Sequence, residues 1–359
     1  MRGFDLIDLR ELGWNEFFEK SFEPYRAKGL RAARVVREHR KGYLVCTGDS
    51  DVEAEMAGKI AYRAKSKAEY PTVGDWVAVR ELRDEGRAFI EAVLERKSKF
   101  SRKSAGLSED EQVVAVNIDT VFLVTDAWQD FNIRRLERYL VLGWDSGARP
   151  VVVINKSDLC EDTGKYVEQV REIAPEVDVR CVSAIEGDGI AGLKEYMGSG
   201  ETVAMLGSSG VGKSTIINAI LGMERQEVKD VRAEDGRGRH TTTHRELIVL
   251  PEGGAVIDNP GMRELHMRTD ERGLGRAFDD IQEIAEECKF RDCMHENEPG
   301  CAVKAAVEEG RLDEERLANF FRLREELELW ERRDSEKLSR GQVRKRIKHQ
   351  ARRARRRKR

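Results

Sequence analysis

The stretch Glu201–Asn218, ETVAMLGSSGVGKSTIIN, restricts the fold more than any other part of the 359-residue chain. An apolar run from Val203 to Leu206 leads into Gly207, four further residues and Gly212-Lys213-Ser214, and apolar Ile216, Ile217 and Ile220 follow. Strand, glycine-rich turn and helix start come in the order that turns backbone N–H groups and the positive end of a helix onto a phosphate. Gly207, Ser208, Ser209, Gly210, Val211, Gly212, Lys213, Ser214 and Thr215 are therefore expected to cradle a nucleoside triphosphate. Lys213 would reach its β and γ phosphates, and the Ser214 hydroxyl would hold Mg²⁺.

Around this loop, strands and helices alternate from Asp110 onward: Val113–Val116 and Thr120–Thr125 read as strands, Ile133–Gly143 as a helix, Pro150–Ile154 as a buried strand, Tyr166–Ile173 as a helix and Val177–Val182 as a strand. Such alternation predicts a parallel sheet with helices on both faces. The strand at Ile154 runs into Asn155-Lys156-Ser157-Asp158. A carboxylate at Asp158 can accept from both N1–H and the 2-amino group of guanine, whereas adenine offers an acceptor at N1 and no amino group beside it. Asn155 would brace the neighbouring loops, the stem of Lys156 would cover the base, and Ser183-Ala184, at the next strand end, would offer a backbone N–H to O6.

A long polar loop, about Met223 to His244, follows the phosphate-loop helix and carries His240 and the threonines Thr241, Thr242 and Thr243. One threonine, with Thr242 taken as the candidate, would complete the metal shell; spacing alone does not choose among the three. Two strands, Glu246–Leu250 and Ala255–Ile257, close the domain, and the second ends at Asp258-Asn259-Pro260-Gly261. Asp258 is expected to support Mg²⁺, and the Gly261 N–H to sense a γ-phosphate. The guanine elements thus precede the phosphate loop, which reverses the ordinary order. A compact domain with neighbouring termini tolerates that circular permutation, since the same sheet and site still form.

Upstream, Phe4–Lys28 reads as a leader helix with Trp14, Phe17 and Phe18 in a packing role. Five short β-type runs then follow: Ala33–Val36, Tyr43–Cys46, Val52–Met56, Trp76–Val79 and Phe89–Leu94. They suit a small barrel of the OB type, which serves as an oligonucleotide binder or as a protein-interaction module. At the other end, Arg340–Arg359 holds twelve Lys or Arg and no acid, while the whole chain has a net charge of −3. An acidic body with a basic arm points to nucleic acid as a partner, against the alternative of a merely solvated tail. No apolar run approaches the ~20 residues of a membrane span, and the first residues, MRGFDLIDLRELGW, lack a signal-peptide core, so a cytoplasmic protein is expected.

Cysteine usage adds a third element. Cys288, Cys293, His295 and Cys301 are spaced C-x₄-C-x-H-x₅-C, three thiolates and one imidazole, a donor set for one tetrahedral structural Zn²⁺ with no position left for catalysis. The following amphipathic helix, with Leu317, Phe320, Phe321, Leu327 and Trp330 along one side, would pack the cluster to the body. Cys46, Cys160 and Cys181 sit in or beside apolar strands and are expected to be inert.

The expected architecture is therefore multidomain: a leader at 1–29, an N-terminal OB-like β-barrel at 30–104, a circularly permuted α/β P-loop GTPase domain at 105–268, a C-terminal α-helical zinc-binding module at 269–333 and a disordered basic tail at 334–359. A barrel, then NKSD, SA, GSSGVGKS, HTTT and DNPG, then the cysteine spacing, closely resembles the ribosome small subunit-dependent GTPases called RsgA or YjeQ, over about Leu30 to Trp330. The resemblance implies a monomeric late assembly factor that binds the immature small ribosomal subunit and its rRNA, hydrolyses GTP to GDP when stimulated by it, and dissociates. It also raises the expectation that the barrel contacts rRNA. Asn259 departs from the Thr or Ser usual there, and the arginine-rich tail lies outside the shared region. Met262 occupies the position where many GTPases place a water-orienting glutamine, so slow hydrolysis by the isolated protein is expected, with His240 as the candidate to position water, against the alternative of a loop histidine with no role. An RNA-binding scaffold with nucleotide as a structural ligand is the alternative class; intact Lys213, Ser214 and Asp258 favour hydrolysis.

Overall fold

The computed structural model describes residues 7–39, 42–64, 66–82, 85–103, 111–222, 245–251, 253–258, 271–329 and 332. The chain divides into two compact units, Met1–His266 and Met267–Arg359.

The first unit begins with helix α1 (Glu16–Arg26), whose N-cap, Asn15, accepts from the N–H groups of Phe17 and Phe18. Its packing face differs from the expected one. Phe17 is outward, and Phe18 and Phe22, one turn apart, are buried instead. With Trp14 they close over Trp76, at ring-centroid distances of 4.8 Å for Trp14 and 5.7 Å for Phe18.

Strands β1 (Arg31–His39), β2 (Gly42–Cys46) and β3 (Asp51–Met56), helix α2 (Gly58–Arg63), and strands β4 (Trp76–Leu82) and β5 (Arg87–Val93) follow. The five expected runs fall inside these strands except for Leu94. Pairing runs β1-β2-β3-β5-β4 and returns to β1, with β3 and β5 parallel and all other pairs antiparallel, so the barrel closes in OB-type order. Alternating small and branched residues fill it: Ala33, Val35, Val45, Ala54, Val77, Val79, Ala88 and Ile90.

A hairpin of β6 (Lys99–Lys103) and β7 (Glu111–Val116) forms a sheet of its own. The run at Val113–Val116 is thus a strand, as its β-branched residues predict, but antiparallel and outside the parallel sheet. Propensity reports extended backbone and carries no information about the partner.

The remaining elements are β8 (Thr120–Asp126), α3 (Ile133–Ser146), β9 (Arg149–Asn155), α4 (Gly164–Ile173), β10 (Asp178–Cys181), α5 (Ile190–Lys194), β11 (Thr202–Gly207), α6 (Lys213–Leu221), β12 (Arg245–Val249) and β13 (Ala255–Asp258). The sheet order is β10-β9-β8-β11-β13-β12, parallel up to β13, with β12 antiparallel. Every residue of β8 and β11 is buried, as in a parallel sheet covered on both faces. Phe122 and Val124 pack with Leu193 of α5 and Ile216 and Ile217 of α6, while Val121, on the opposite face, lies under Gly143 of α3.

Strand β1 also belongs to this sheet. Its C-terminal half pairs with β12 at Arg37↔Glu246 and Glu38↔Arg245, flanked by ion pairs Arg37–Glu246 and Glu38–Arg245. A register irregularity between Val35 and Arg37 bends β1 so that one half closes the barrel and the other extends the sheet.

The second unit contains α7 (Glu271–Ala277), α8 (Asp279–Ala285), α9 (Ala302–Glu308) and α10 (314–329). Leu317, Phe320, Leu323 and Leu327 form the buried face of α10. Its buried Arg316 pairs with both carboxylate oxygens of Asp280 at 2.7 Å and lies 4.8 Å over the Phe278 ring, tying α10 to α8. Trp330, assigned to the same face, lies outside the described residues.

Candidate active site

The C-terminal ends of β9, β8, β11 and β13 lie side by side, the place where open α/β sheets bind ligands. After β11 the chain makes the glycine-rich turn and enters α6 at Lys213. Two glycines here are obligatory. A Cβ on Gly207 would stand 2.3 Å from the Val124 carbonyl oxygen, and one on Gly212, at φ +96°, would stand 2.2 Å from Asn155 Nδ2. Lys213 Nζ donates to the carbonyls of Gly207 at 2.7 Å and Ser208 at 2.6 Å, which folds its side chain back over the loop. Val211 is buried, while Ser208, Ser209, Ser214 and Thr215 are half-buried and Gly210 is exposed.

Asn155 ties the two halves of the site together. Its Nδ2 donates to the Val211 carbonyl at 2.8 Å, and its Oδ1 accepts from the Ala184 N–H at 3.1 Å. The phosphate loop, the strand end bearing Asp158 and the Ser183-Ala184 turn are thus braced by one buried amide. Ser183 Oγ donates to Asp158 Oδ1 at 2.7 Å, and Asp158 itself is exposed. That leaves a carboxylate oriented by a buried hydroxyl and open to a ligand. Lys156, at φ 58°, starts the turn that carries Asp158. Asp258 is half-buried at the end of β13. His240, Thr241, Thr242, Thr243, Asn259, Gly261 and Met262 lie outside the described residues.

The segment between β8 and α3 was not singled out by sequence. Buried Asp126, the last residue of β8, pairs with Lys156 Nζ at 2.6 Å through Oδ2, and its Oδ1 accepts from the N–H groups of Trp128, Gln129 and Asp130. Burial works to raise this carboxyl, but Lys156 and the backbone donors outweigh it and hold it below the usual carboxylate range. Asp130 and Tyr139 both engage the Ser208 side chain, and burial pushes both groups up. The available signal was an aspartate closing the run Val121–Val124 and Thr125 of a strand expected to be buried, where a carboxylate needs a local partner.

The second unit brings Cys288, Cys293, His295 and Cys301 together. Their ligand atoms all lie within 4.8 Å of one another, with Cys288 Sγ 3.6 Å and Cys301 Sγ 3.5 Å from His295 Nδ1. Metal bonds of ~2.0 to 2.3 Å in a tetrahedron give edges of roughly this length, so the donor set fits Zn²⁺. Glu298 shapes the loop by accepting from the N–H groups of Met294, Glu296 and Asn297. Those bonds lower its carboxyl below the usual range.

A phosphate loop braced to a guanine-type strand end, with the guanine elements first in the chain, defines a circularly permuted P-loop GTPase. A family model described as RsgA GTPase matches residues 93–268, and one described as ABC transporter matches residues 190–348. The spans overlap across the phosphate loop, but only the first includes Asn155–Asp158. A protein of Opitutus terrae named small ribosomal subunit biogenesis GTPase RsgA is 44% identical over 330 residues, covering 89% of this chain and 90% of its own length. A Methanosarcina acetivorans protein of the same name is 43% identical over 315 residues, 88% of this chain and 84% of its own. The crystal structure of YjeQ from Thermotoga maritima superposes with a TM-score of 0.62 at 31% identity, over 83% of this chain and 98% of that one. That of YloQ, a circularly permuted GTPase, gives 0.60 at 27%, over 83% and 95%. The chain belongs to the RsgA GTPase family, and is an enzyme that hydrolyses GTP, with GTP, GDP and Mg²⁺ as the ligands that family membership implies. Among the described residues no helix is long and apolar enough to cross a membrane.

Proposed function

We propose that this GTPase binds the small ribosomal subunit and its rRNA as a cytoplasmic monomer, acts late in subunit assembly, hydrolyses GTP when the subunit stimulates it, and then dissociates. The observation that carries this reading is the Asn155 bridge. It joins a guanine-reading strand end to a phosphate loop, in a chain whose relatives are named for small-subunit biogenesis over almost all of its length.

In this reading Asp158 reads the guanine edge, Lys156 covers the base, and the Ala184 N–H faces O6. Residues Gly207–Thr215 enclose the phosphates, and Lys213 neutralises the β and γ groups. Ser214, Asp258 and Thr242 hold Mg²⁺, which when bound offsets the charge that develops on the transferred phosphoryl group. The Gly261 N–H senses the γ-phosphate, and His240 orients water in the absence of a glutamine at Met262. Purified subunits are expected to raise GTP turnover by about tenfold or more, with ATP failing to compete. Equal turnover with and without subunits would sink the assembly reading, and effective competition by ATP would sink the guanine site.

The cysteine cluster holds one structural Zn²⁺ in this reading, and metal and fold are linked. Elemental analysis is expected to find one zinc per chain, and Cys301→Ser to lose both the zinc and a thermal transition of the second unit. A full-length protein free of zinc with an unchanged melt would refute it.

A further inference from the structure

We propose that Trp128 contacts the nucleoside, its indole forming a wall of the site on the side where ribose and base meet. This rests on the guanine-nucleotide reading above and adds a residue to it. Strand order supplies the first argument. β8 lies between β9, which ends at the guanine-reading residues, and β11, which ends at the phosphate loop. The segment leaving β8 therefore emerges between the place for a base and the place for phosphates, where the sugar must lie.

Hydrogen bonding supplies the second. Asp126, 2% exposed, fixes this segment by accepting the Trp128 N–H at 3.1 Å and those of Gln129 and Asp130 at 2.8 Å. The Ala127 N–H donates to the Asn155 carbonyl at 2.9 Å, and Tyr166 of α4 donates to the Ala127 carbonyl at 3.3 Å. Trp128 is thus anchored to the guanine-reading strand end. The residue nevertheless stays 54% exposed, with Lys156 Nζ 5.5 Å from the ring centroid. A large aromatic held by a buried carboxylate beside the base-covering lysine has the π-face and the cation that a nucleoside uses for stacking.

The experiment measures GDP binding by calorimetry and by tryptophan emission on the full chain. Trp128→Ala is expected to weaken GDP and GTP alike by about tenfold, with Trp128→Phe restoring most of the loss. The emission change on adding GDP is expected to vanish in Trp128→Phe and persist in Trp144→Phe, at the other end of α3. A purely structural role would not remove the emission change. Wild-type affinity in Trp128→Ala, or an emission change kept in Trp128→Phe, overturns the proposal while the guanine reading stands. A wild-type protein that binds no guanine nucleotide overturns both.

Discussion

Asp158→Asn is expected to lower GTP affinity by about a thousandfold and to transfer preference to xanthosine triphosphate. In the proposed base site the wild-type carboxylate offers two acceptors to the N1–H and amino group of guanine, and Ser183 orients it through Oδ1. An amide replaces one acceptor with an N–H₂ that faces the guanine amino group, donor against donor, so that neither donor is satisfied by the other. Xanthine carries a carbonyl where guanine carries that amino group, so the same amide regains a bond. Asp158 is exposed, and the substitution should leave the melting temperature within about 2 °C of wild type. Competition binding with the two triphosphates checks it, and an unchanged preference for GTP would remove Asp158 from the base site.

Arg34→Leu is expected to destabilise the first unit by about 3 to 4 kcal/mol. The guanidinium is 1% exposed on the barrel strand β1 and donates to the carbonyls of Leu12 and Asn117 and to Thr202 Oγ1 at 2.9 Å. Leu12 belongs to the leader, Asn117 to the turn after β7, and Thr202 opens β11, the strand that feeds the phosphate loop. Burial pushes the group down to about 10, against the opposing charges of Asp119 and Asp75, so it remains a cation at neutral pH. An aliphatic replacement leaves these acceptors buried and unpaired. Arg34→Lys should recover little, because an ammonium lacks the planar fork that reaches acceptors on three segments. Denaturant unfolding of the full chain tests the claim, and a loss below about 1 kcal/mol would show the guanidinium to be replaceable packing.

These two residues also mark what a sequence can and cannot disclose. The place of Asp158 was legible because the signal is local: four consecutive residues at a strand end, read beside a phosphate loop that is itself contiguous. The permuted order was legible for the same reason. Arg34 was not, since its partner Thr202 lies 168 positions away and nothing near Arg34 distinguishes it from a surface base in a strand. Asp126 and Lys156, 30 positions apart, meet only because β8 and β9 are neighbours in the sheet. The β7 strand could be recognised and its partner could not. The zinc-type spacing was legible because all four donors fall within one short loop, whereas the buried Arg316–Asp280 pair that ties α10 to α8 depends on how two helices meet.

The short pairing of β1 with β12 bears on how this protein can be divided. β12 is the antiparallel strand that closes the nucleotide-domain sheet, and β1 pairs with its first two residues on the outer edge. Removing the barrel from the chain would uncover that edge, with backbone donors and acceptors facing solvent and available to a second copy. The barrel is therefore also the edge guard of the catalytic sheet, and any truncated enzyme meant to stay monomeric must bring β1 with it or replace its cover.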